Sequence, residues 1–239
     1  MINKLIILKL LLNCTTLIYN LNTRGETMYI FLTILMSYIL GSIPNALIIG
    51  KVFFKKDVRQ YGSGNLGGSN TGRVLGKKIG LLVMILDLLK SVIAVLLTKL
   101  IISNTNPDLV NLCTYLSAAF VLLGHCYTCF AKFKGGKAVA STFGILLVTN
   151  IYIFLICIAL YVVLLKLSKL VSLSSIIIFY IAAILSLIPL FRESAILNLT
   201  LDWFYPLTLF LIACFVVYRH RSNIKRLING TENKITWLK

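Results

Sequence analysis

The sequence predicts an all-α, polytopic integral membrane protein: a bundle of about seven transmembrane helices whose glycine-rich motif loops face the cytoplasm. Of its 239 residues, 59% are apolar and only 13% are charged, and the mean hydropathy is +0.93. Several apolar runs approach the roughly 20 residues with which a helix crosses the ~30 Å hydrocarbon core of a bilayer. This composition excludes an ordinary soluble domain.

The basic residues are concentrated rather than spread evenly. The net charge is +17, and residues 51–78 and 219–239 together hold 13 of the 24 Lys and Arg residues. Such an excess is typical of cytoplasmic loops that lie against anionic lipid headgroups, and an anionic substrate is the competing explanation for the charges nearest the glycine cluster. We expect the lipid bilayer and a small anion as partners, and no nucleic acid.

The first two predicted spans carry polar groups at membrane depth. The span at 29–50 contains the sequence GSIPN at 41–45, and its proline should face the bundle interior because it frees backbone carbonyls that need partners. The span at 79–102 contains Asp87 and Lys90, which lie three residues apart on one helix face and can pair. Intramembrane charges of this kind indicate either a functional cavity or a structural ion pair.

Charge also determines the number of later spans. After a third span at 111–130, the basic segments can all lie on one side of the membrane only if an even number of helices separates them. We therefore divide residues 138–190 into three helices and add a last span at 202–218, with the N-terminus outside and the C-terminus inside. The three helices are expected at 138–149, 151–165 and 170–190.

The N-terminal residues do not fit the pattern of transmembrane spans. The apolar stretch at 5–21 is typical of a signal-like or interfacial helix, but Lys9 and Asn13 interrupt it. We expect residues 1–27 to be an N-terminal extension, with Met28 an alternative start, and residues 28–239 to form a single transmembrane domain.

The stretch GSGNLGGSNTGR at 62–73 predicts an anion-binding nest. Seven of the chain's 15 glycines lie between Gly62 and Gly80, and closely spaced glycines let an oxyanion approach backbone N–H groups. Arg73 adds a planar, permanently charged donor. A flexible linker is the alternative, and the absence of a Walker Gly-Lys-Ser/Thr ending indicates phosphate without a nucleotide. The candidate phosphate-binding residues here are Gly62, Gly64, Asn65, Gly67, Ser69 and Asn70.

Two further segments are candidate sites. Gly135, Gly136 and Lys137 precede a predicted helix and form a second candidate anion site, although lysine-rich turns between spans are common. In the tail, His220 and Asn223 share one helical face and form a third candidate site. The alternative is that this basic tail only anchors the protein to lipid headgroups. We expect His125, at the end of the third span, to be structural. The few carboxylates are scattered and the only C-x-x-C sequence stands alone, so we expect neither a metal nor a cofactor.

Taken together, these segments resemble the bacterial acyl-phosphate:glycerol-3-phosphate acyltransferases of the inner membrane. The resemblance rests on three motifs, at 62–73, 124–141 and 220–234, and on the shorter sequences GSIP (41–44) and DLLK (87–90). It covers residues from about 28 to 234 and implies the same seven-helix architecture with the N-terminus outside. Departures are small: Gly68-Ser69 replaces Ala-Thr, and Ser91 and Ala138 replace glycines.

The resemblance implies transfer of a fatty acyl group from acyl phosphate to the first hydroxyl of glycerol 3-phosphate, giving lysophosphatidate and phosphate. Cations and backbone N–H groups would offset the repulsion between two phosphates: Arg73 with the nest at one, Lys137 with Gly135 and Gly136 at the other, and Lys90 nearby. It also implies a monomer in the inner membrane, for which the enzyme that forms acyl phosphate is a candidate partner.

Three groups could assist the reaction itself. His220 could accept the hydroxyl proton or hold the substrate through a hydrogen bond, and a substrate phosphate could take the proton instead. Ser63 is a candidate catalytic hydroxyl, but no adjacent base and carboxylate support an acyl-serine intermediate.

A transporter for phosphate or another organic anion is the alternative function. It would explain the intramembrane Asp87 and Lys90, the break at Pro44 and the basic loops. It predicts an inverted repeat in the two halves of the chain, and the sequence contains none that we recognise.

Overall fold

The computed structural model describes residues 26–235, so the predicted N-terminal apolar stretch lies outside the described residues. Helices dominate this part of the chain, with one small antiparallel hairpin formed by β1 (Glu193–Ser194) and β2 (Leu199–Thr200). The helices are α1 (Glu26–Ser42), α2 (Asn45–Phe54), α3 (Gly68–Leu75), α4 (Lys77–Thr105), α5 (Val110–Cys126), α6 (Val139–Thr149), α7 (Ile151–Ser168), α8 (Val171–Leu185), α9 (Phe204–Arg219) and α10 (Arg221–Ile228).

The apolar helices coincide with the predicted spans, and the class of an all-α membrane bundle is confirmed. Four helical segments of the described chain are long and apolar enough to cross a membrane: Glu26–Phe54, Lys77–Thr105, Pro107–Ala131 and Ile151–Ser168. Helices α6, α8 and α9 are apolar but shorter, at 11, 15 and 16 residues. Since these lengths cover only about 16–24 Å, a topology of seven spans stays a prediction.

The sequence-based boundary of α8 was too long. A helix was expected over 170–190, but α8 ends at Leu185. Pro189 disfavours helical geometry at the residue before it, which explains the early end. A 3₁₀ turn and the hairpin then connect α8 to α9, and Asn150 Nδ2 holds this connection by donating to the carbonyls of Phe191 and Glu193, each at 3.0 Å.

The predicted break in the first span lies between α1 and α2, at Ile43 and Pro44. The Ile43 carbonyl that the break frees accepts a hydrogen bond of 2.9 Å from Lys90 Nζ on α4. Asn45, which begins α2, donates to Asp87 Oδ1 at 2.9 Å. The break therefore faces the bundle interior as predicted, and protein groups replace the lost helical hydrogen bond.

Close helix packing fixes the nest against the bundle, because glycines at the contact between α3 and α4 let the two backbones approach each other. A Cβ atom at Gly80 would lie 2.6 Å from Gly72 Cα and 2.7 Å from the Gly68 carbonyl oxygen. Both neighbours are backbone atoms, so they cannot move aside as a flexible side chain could.

We expect Gly80→Ala to destabilise the protein by about 1–3 kcal/mol, the usual cost of overpacking, and to lower its activity by displacing α3. The measurement is the thermal unfolding midpoint in detergent. Gly72→Ala is the matched control: both positions are helical, but its nearest contact would be 3.7 Å. Equal midpoints for the two variants would contradict the packing argument.

Candidate active site

The three sequence motifs meet around one cavity of about 290 Å³. One part of its wall is polar and basic; the other is apolar and is formed by α4, α6 and α7, including Leu88, Phe143, Ile158 and Tyr161. Nine of the predicted site residues line it: Ser63, Asn65, Gly67, Ser69, Asn70, Arg73, Lys137, His220 and Asn223. Such a wall suits a ligand with a phosphate and a hydrocarbon chain.

The glycine-rich loop is held in shape by Asn70. Its side-chain oxygen accepts the Ser63 N–H at 2.7 Å, and its amide nitrogen donates to the carbonyls of Val58, Tyr61 and Asn65 at 3.0–3.2 Å. Asn70 is 2% exposed. Its amide is therefore occupied in organising the loop rather than free for a ligand.

The first turn of α3 offers unpaired donors to the cavity. Gly62 and Gly64 have φ values of +59° and +70°, which glycine adopts without strain, and Gly67 caps a helix that begins at Gly68. The first N–H groups of a helix have no intrahelical partner and carry the positive end of its dipole. The space where a Cβ of Gly67 would lie is open for 4 Å, so an oxyanion can approach this backbone.

Arg73 supplies the charge at this end of the cavity. It lies on α3, lines the cavity and is exposed. Among the described residues, no carboxylate or other acceptor pairs with its guanidinium. The group is thus available to an anionic ligand.

The second motif packs its double glycine against His125. The Gly136 N–H donates to the His125 carbonyl at 3.1 Å, and a Cβ at Gly136 would overlap His125 Nε2. The Gly136 carbonyl accepts from Arg219 Nη2 at 3.0 Å. Neither Gly135 nor Gly136 lines the cavity. In this arrangement the glycines position Lys137, and the Gly136 N–H is already used.

Lys137 faces the cavity beside the third motif. Its Nζ donates to Asn223 Oδ1, and Asn223 Nδ2 donates to Glu232 Oε1 at 2.6 Å. Burial lowers the pKa of Lys137 to about 8; the Glu232 charge opposes this shift, and the Arg226 charge adds to it.

Glu232 connects the third motif to α8. Its carboxylate accepts from Arg226 Nε at 2.8 Å and from Ser172 Oγ at 2.9 Å. Burial raises the pKa of Glu232, but the hydrogen bonds from Asn223, Ser172 and Arg226 outweigh it, so this pKa lies below the ordinary value. The carboxylate therefore holds the Asn223 side chain in place at the cavity wall.

His220 lies between α9 and α10 and is 2% exposed. Its Nδ1 is 2.8 Å from the Val216 carbonyl oxygen. Because a carbonyl only accepts, Nδ1 carries the hydrogen and the Nε2 lone pair is left for another group. Burial lowers the pKa of His220 to about 4, against the hydrogen bond to Val216, so the ring is neutral at physiological pH.

Two candidate catalytic residues, Lys90 and Ser63, have surroundings that bear on their roles. Lys90 is 6% exposed and lies behind the cavity wall, with Nζ donating to Asp87 Oδ1 and to the Ile43 carbonyl, both at 2.9 Å. Its ammonium is therefore already paired. Ser63 lines the cavity and contacts Asn65 Nδ2 at 3.2 Å, but no described histidine or carboxylate hydrogen-bonds to it.

The cavity wall also contains residues that the sequence did not single out. Arg226 could have been found, because it follows Asn223 by three residues on the same helical face. Glu232 lies in the third motif but beyond its helix, and Ser172, on a separate helix, gave no signal. Two residues that the sequence did single out also line the cavity: Asp87, named as an intramembrane charge, and His125, for which a structural role stays a prediction.

Comparison with known proteins explains this combination of motifs. A family model described as "Glycerol-3-phosphate acyltransferase" matches residues 31–230. The chain belongs to this family. It is an integral membrane acyltransferase of phospholipid synthesis. Its function is therefore acyl transfer, and the alternative hypothesis of an anion transporter is rejected.

Relatives and solved structures agree with this identification. The acyltransferase is 42% identical to a glycerol-3-phosphate acyltransferase of Listeria monocytogenes serovar 1/2a over 89% of its own length and 100% of the relative. It is 44% identical to "Glycerol-3-phosphate acyltransferase 2" of Bacillus anthracis over 85% of its length and 98% of that protein. The crystal structure of PlsY (YgiH) in its glycerol 3-phosphate form is similar with a TM-score of 0.75 and 29% identity, over 86% of this chain and 95% of that one.

Proposed function

We propose that the acyltransferase moves a fatty acyl group from acyl phosphate to the sn-1 hydroxyl of glycerol 3-phosphate, producing lysophosphatidate and inorganic phosphate. One observation carries the proposal: two separate cationic sites, the Arg73 nest and Lys137, border a single cavity that also has an apolar wall on α4, α6 and α7. This arrangement matches a reaction in which two phosphates and one hydrocarbon chain must lie together.

The two phosphates occupy opposite walls. The first N–H groups of α3 and the Arg73 guanidinium bind the phosphate of the acyl donor, and the acyl chain runs toward Phe143 and Tyr161. Lys137, supported by Asn223, binds the phosphate of glycerol 3-phosphate. Lys90 acts from behind the wall by balancing the charge of Asp87 at 2.9 Å.

The reaction requires little covalent assistance from the protein. The substrate hydroxyl oxygen attacks the acyl carbonyl, the new ester bond forms, and the bond from the carbonyl carbon to the phosphate oxygen breaks. His220 Nε2 accepts a hydrogen bond from the attacking hydroxyl and so orients it. The proton passes to a substrate phosphate oxygen, because phosphate, with a second pKa of about 6, is a stronger base than an imidazole whose pKa is about 4. Ser63 donates to phosphate and is not acylated.

The proposal also covers the membrane topology, oligomeric state and partner of the enzyme. The basic motif loops lie on the cytoplasmic side of the bacterial membrane, as the positive-inside rule favours. The protein works as a single transmembrane domain over residues 28–239 and as a monomer, and it receives acyl phosphate from the enzyme that forms it.

The decisive experiment is release of inorganic phosphate from palmitoyl phosphate by the purified protein in detergent, with no added metal or coenzyme A. We expect release that depends on glycerol 3-phosphate and is matched by lysophosphatidate. Palmitoyl-coenzyme A serves as the alternative donor. Acyl transfer from the thioester alone would reject the acyl-phosphate proposal, and phosphate release without glycerol 3-phosphate would indicate a hydrolase.

The Lys137 ammonium gives this reaction an alkaline limit. Since its pKa is about 8 in the unliganded protein, the cation is present below pH 8 and is lost above it. We expect kcat/KM for glycerol 3-phosphate to fall above about pH 8, because this parameter reports the free enzyme. In the pH profile of kcat, the corresponding alkaline decline (the alkaline limb) should lie at higher pH, since bound phosphate stabilises the ammonium form of Lys137.

Lys137→Arg is the control for this assignment. Guanidinium keeps its proton to pH values above about 12, so the alkaline limb should disappear even if overall binding weakens. A limb that stays near pH 8 in Lys137→Arg would show that another group titrates.

A further inference from the structure

The cavity contains a polar site that neither phosphate explains. Asp87, on α4, lines the cavity and is 2% exposed. Its polar neighbours all approach Oδ1: Asn45 Nδ2 and Lys90 Nζ at 2.9 Å, and His125 Nδ1 at 3.6 Å.

Two atoms of this cluster lack hydrogen-bond partners. Within the described residues, nothing donates to Asp87 Oδ2, and Nδ1 of His125 has no hydrogen bond, since 3.6 Å is too long for one. His125 is 6% exposed and also lines the cavity. Buried polar groups are almost always paired, so the buried ring nitrogen without a hydrogen bond indicates a missing ligand group, and the Oδ1 contacts of Asp87 leave Oδ2 available to accept from the same group.

The cluster lies near both proposed phosphate sites. Gly68, the first residue of α3, packs on Met84, and Asp87 follows three residues later on α4, which is about one helical turn deeper. On the other wall, Gly136 packs on the His125 ring and immediately precedes Lys137. A small ligand whose phosphate is held at the basic wall can therefore reach Asp87 with its other end.

The chemistry of the cluster selects the ligand group. A carboxylate oxygen repels phosphate and requires a donor, whereas the adjacent imidazole can supply an N–H. An alcohol satisfies both, since its hydroxyl donates to Oδ2 and its oxygen accepts from the ring. Lys90 balances the carboxylate charge, so the site remains compatible with its burial.

We propose that Asp87 and His125 bind the secondary hydroxyl of glycerol 3-phosphate, the hydroxyl that does not react, and that Asp87 determines specificity for a glycerol-like acceptor. This inference rests on the proposed function. The same contact turns the primary hydroxyl toward His220 and the acyl carbonyl.

The test compares two acceptors, glycerol 3-phosphate and 3-hydroxypropyl phosphate, which lacks only the secondary hydroxyl. We expect the unmodified enzyme to favour glycerol 3-phosphate about 10- to 100-fold in kcat/KM, the range of a hydrogen bond to a charged group. In Asp87→Asn the remaining oxygen keeps its bonds to Asn45 and Lys90, so the amide nitrogen replaces Oδ2 and offers a donor instead of an acceptor. The preference should then fall below about threefold.

Matched variants separate this role from a structural one. Lys137→Arg should lower kcat/KM for both acceptors by a similar factor and leave the preference intact. If Asp87→Asn folds poorly because Lys90 loses its counter-ion, Asp87→Asn/Lys90→Gln removes both charges and retains a donor for the Ile43 carbonyl.

Each outcome decides the proposal. An unmodified enzyme without preference overturns it, whatever the variants do. A preference that survives in Asp87→Asn or the double variant while activity falls shows a structural role and also overturns it. If the unmodified enzyme acylates neither acceptor from acyl phosphate, the proposed function fails first.

Discussion

Arg73→Ala will lower acyl transfer from acyl phosphate by about 10²- to 10³-fold, the usual loss when a preorganised charge at a reaction centre is removed. The guanidinium lines the cavity and has no partner among the described residues. Two other cations of the described chain line the cavity, but Lys137 is engaged with Asn223 and Arg226 with Glu232. No neighbouring group can therefore substitute for Arg73 at the α3 end of the cavity.

Two variants make this prediction specific. Lys77→Ala removes an exposed cation that does not line the cavity, and we expect nearly unchanged activity. Arg73→Lys keeps the charge but not the planar fork, so an intermediate kcat/KM for acyl phosphate is expected. Substantial activity in well-folded Arg73→Ala would remove the nest from the mechanism.

The parts of the fold that the sequence predicted well depend on local spacing. Pro44 marks the break in the first span because a proline removes a helical hydrogen bond wherever it lies. The pairing of Asp87 with Lys90 follows from a separation of three residues on a helix, and the structure confirms it at 2.9 Å. Such features require no knowledge of which helices are neighbours.

The parts that the sequence could not predict depend on contacts between distant segments. Asp87 and Lys90 share a helix face, but only the packing of α4 against α2 and α5 determines which of them reaches the cavity. The packing of Gly136 on His125 within the second motif, and the hydrogen bond from Ser172 on α8 to Glu232 at 2.9 Å, likewise depend on how the folded chain brings these residues together.

Residue type alone also leaves individual roles open. The amide of Asn70 suits a phosphate ligand as well as a loop organiser, and its four hydrogen bonds to Val58, Tyr61, Ser63 and Asn65 favour the second role. The double glycine at 135 and 136 suits an anion nest, yet it gives His125 the space to pack. In both cases the chemistry was compatible with two uses, and the three-dimensional neighbours distinguish them.

His220→Ala will lower kcat by about 10²-fold, because the attacking hydroxyl loses the acceptor that orients it. His220→Gln should retain activity within about tenfold of the unmodified enzyme, since a side-chain amide oxygen can also accept that hydrogen bond. Ser222→Ala, at an exposed neighbouring position, is the control and should be neutral. If His220 were the proton acceptor, the two substitutions at His220 would be equally damaging.

The pH profile gives a second, independent discrimination between His220 and the substrate as base. A phosphate monoester loses its accepting form as pH falls through its second pKa of about 6, so the rate should decline below pH 6 in the unmodified enzyme. His220 cannot cause this limb, because burial holds its pKa at about 4. The limb should therefore persist in His220→Gln. A limb that vanishes in this variant would instead make His220 the titrating base and would require its pKa to rise when substrate binds.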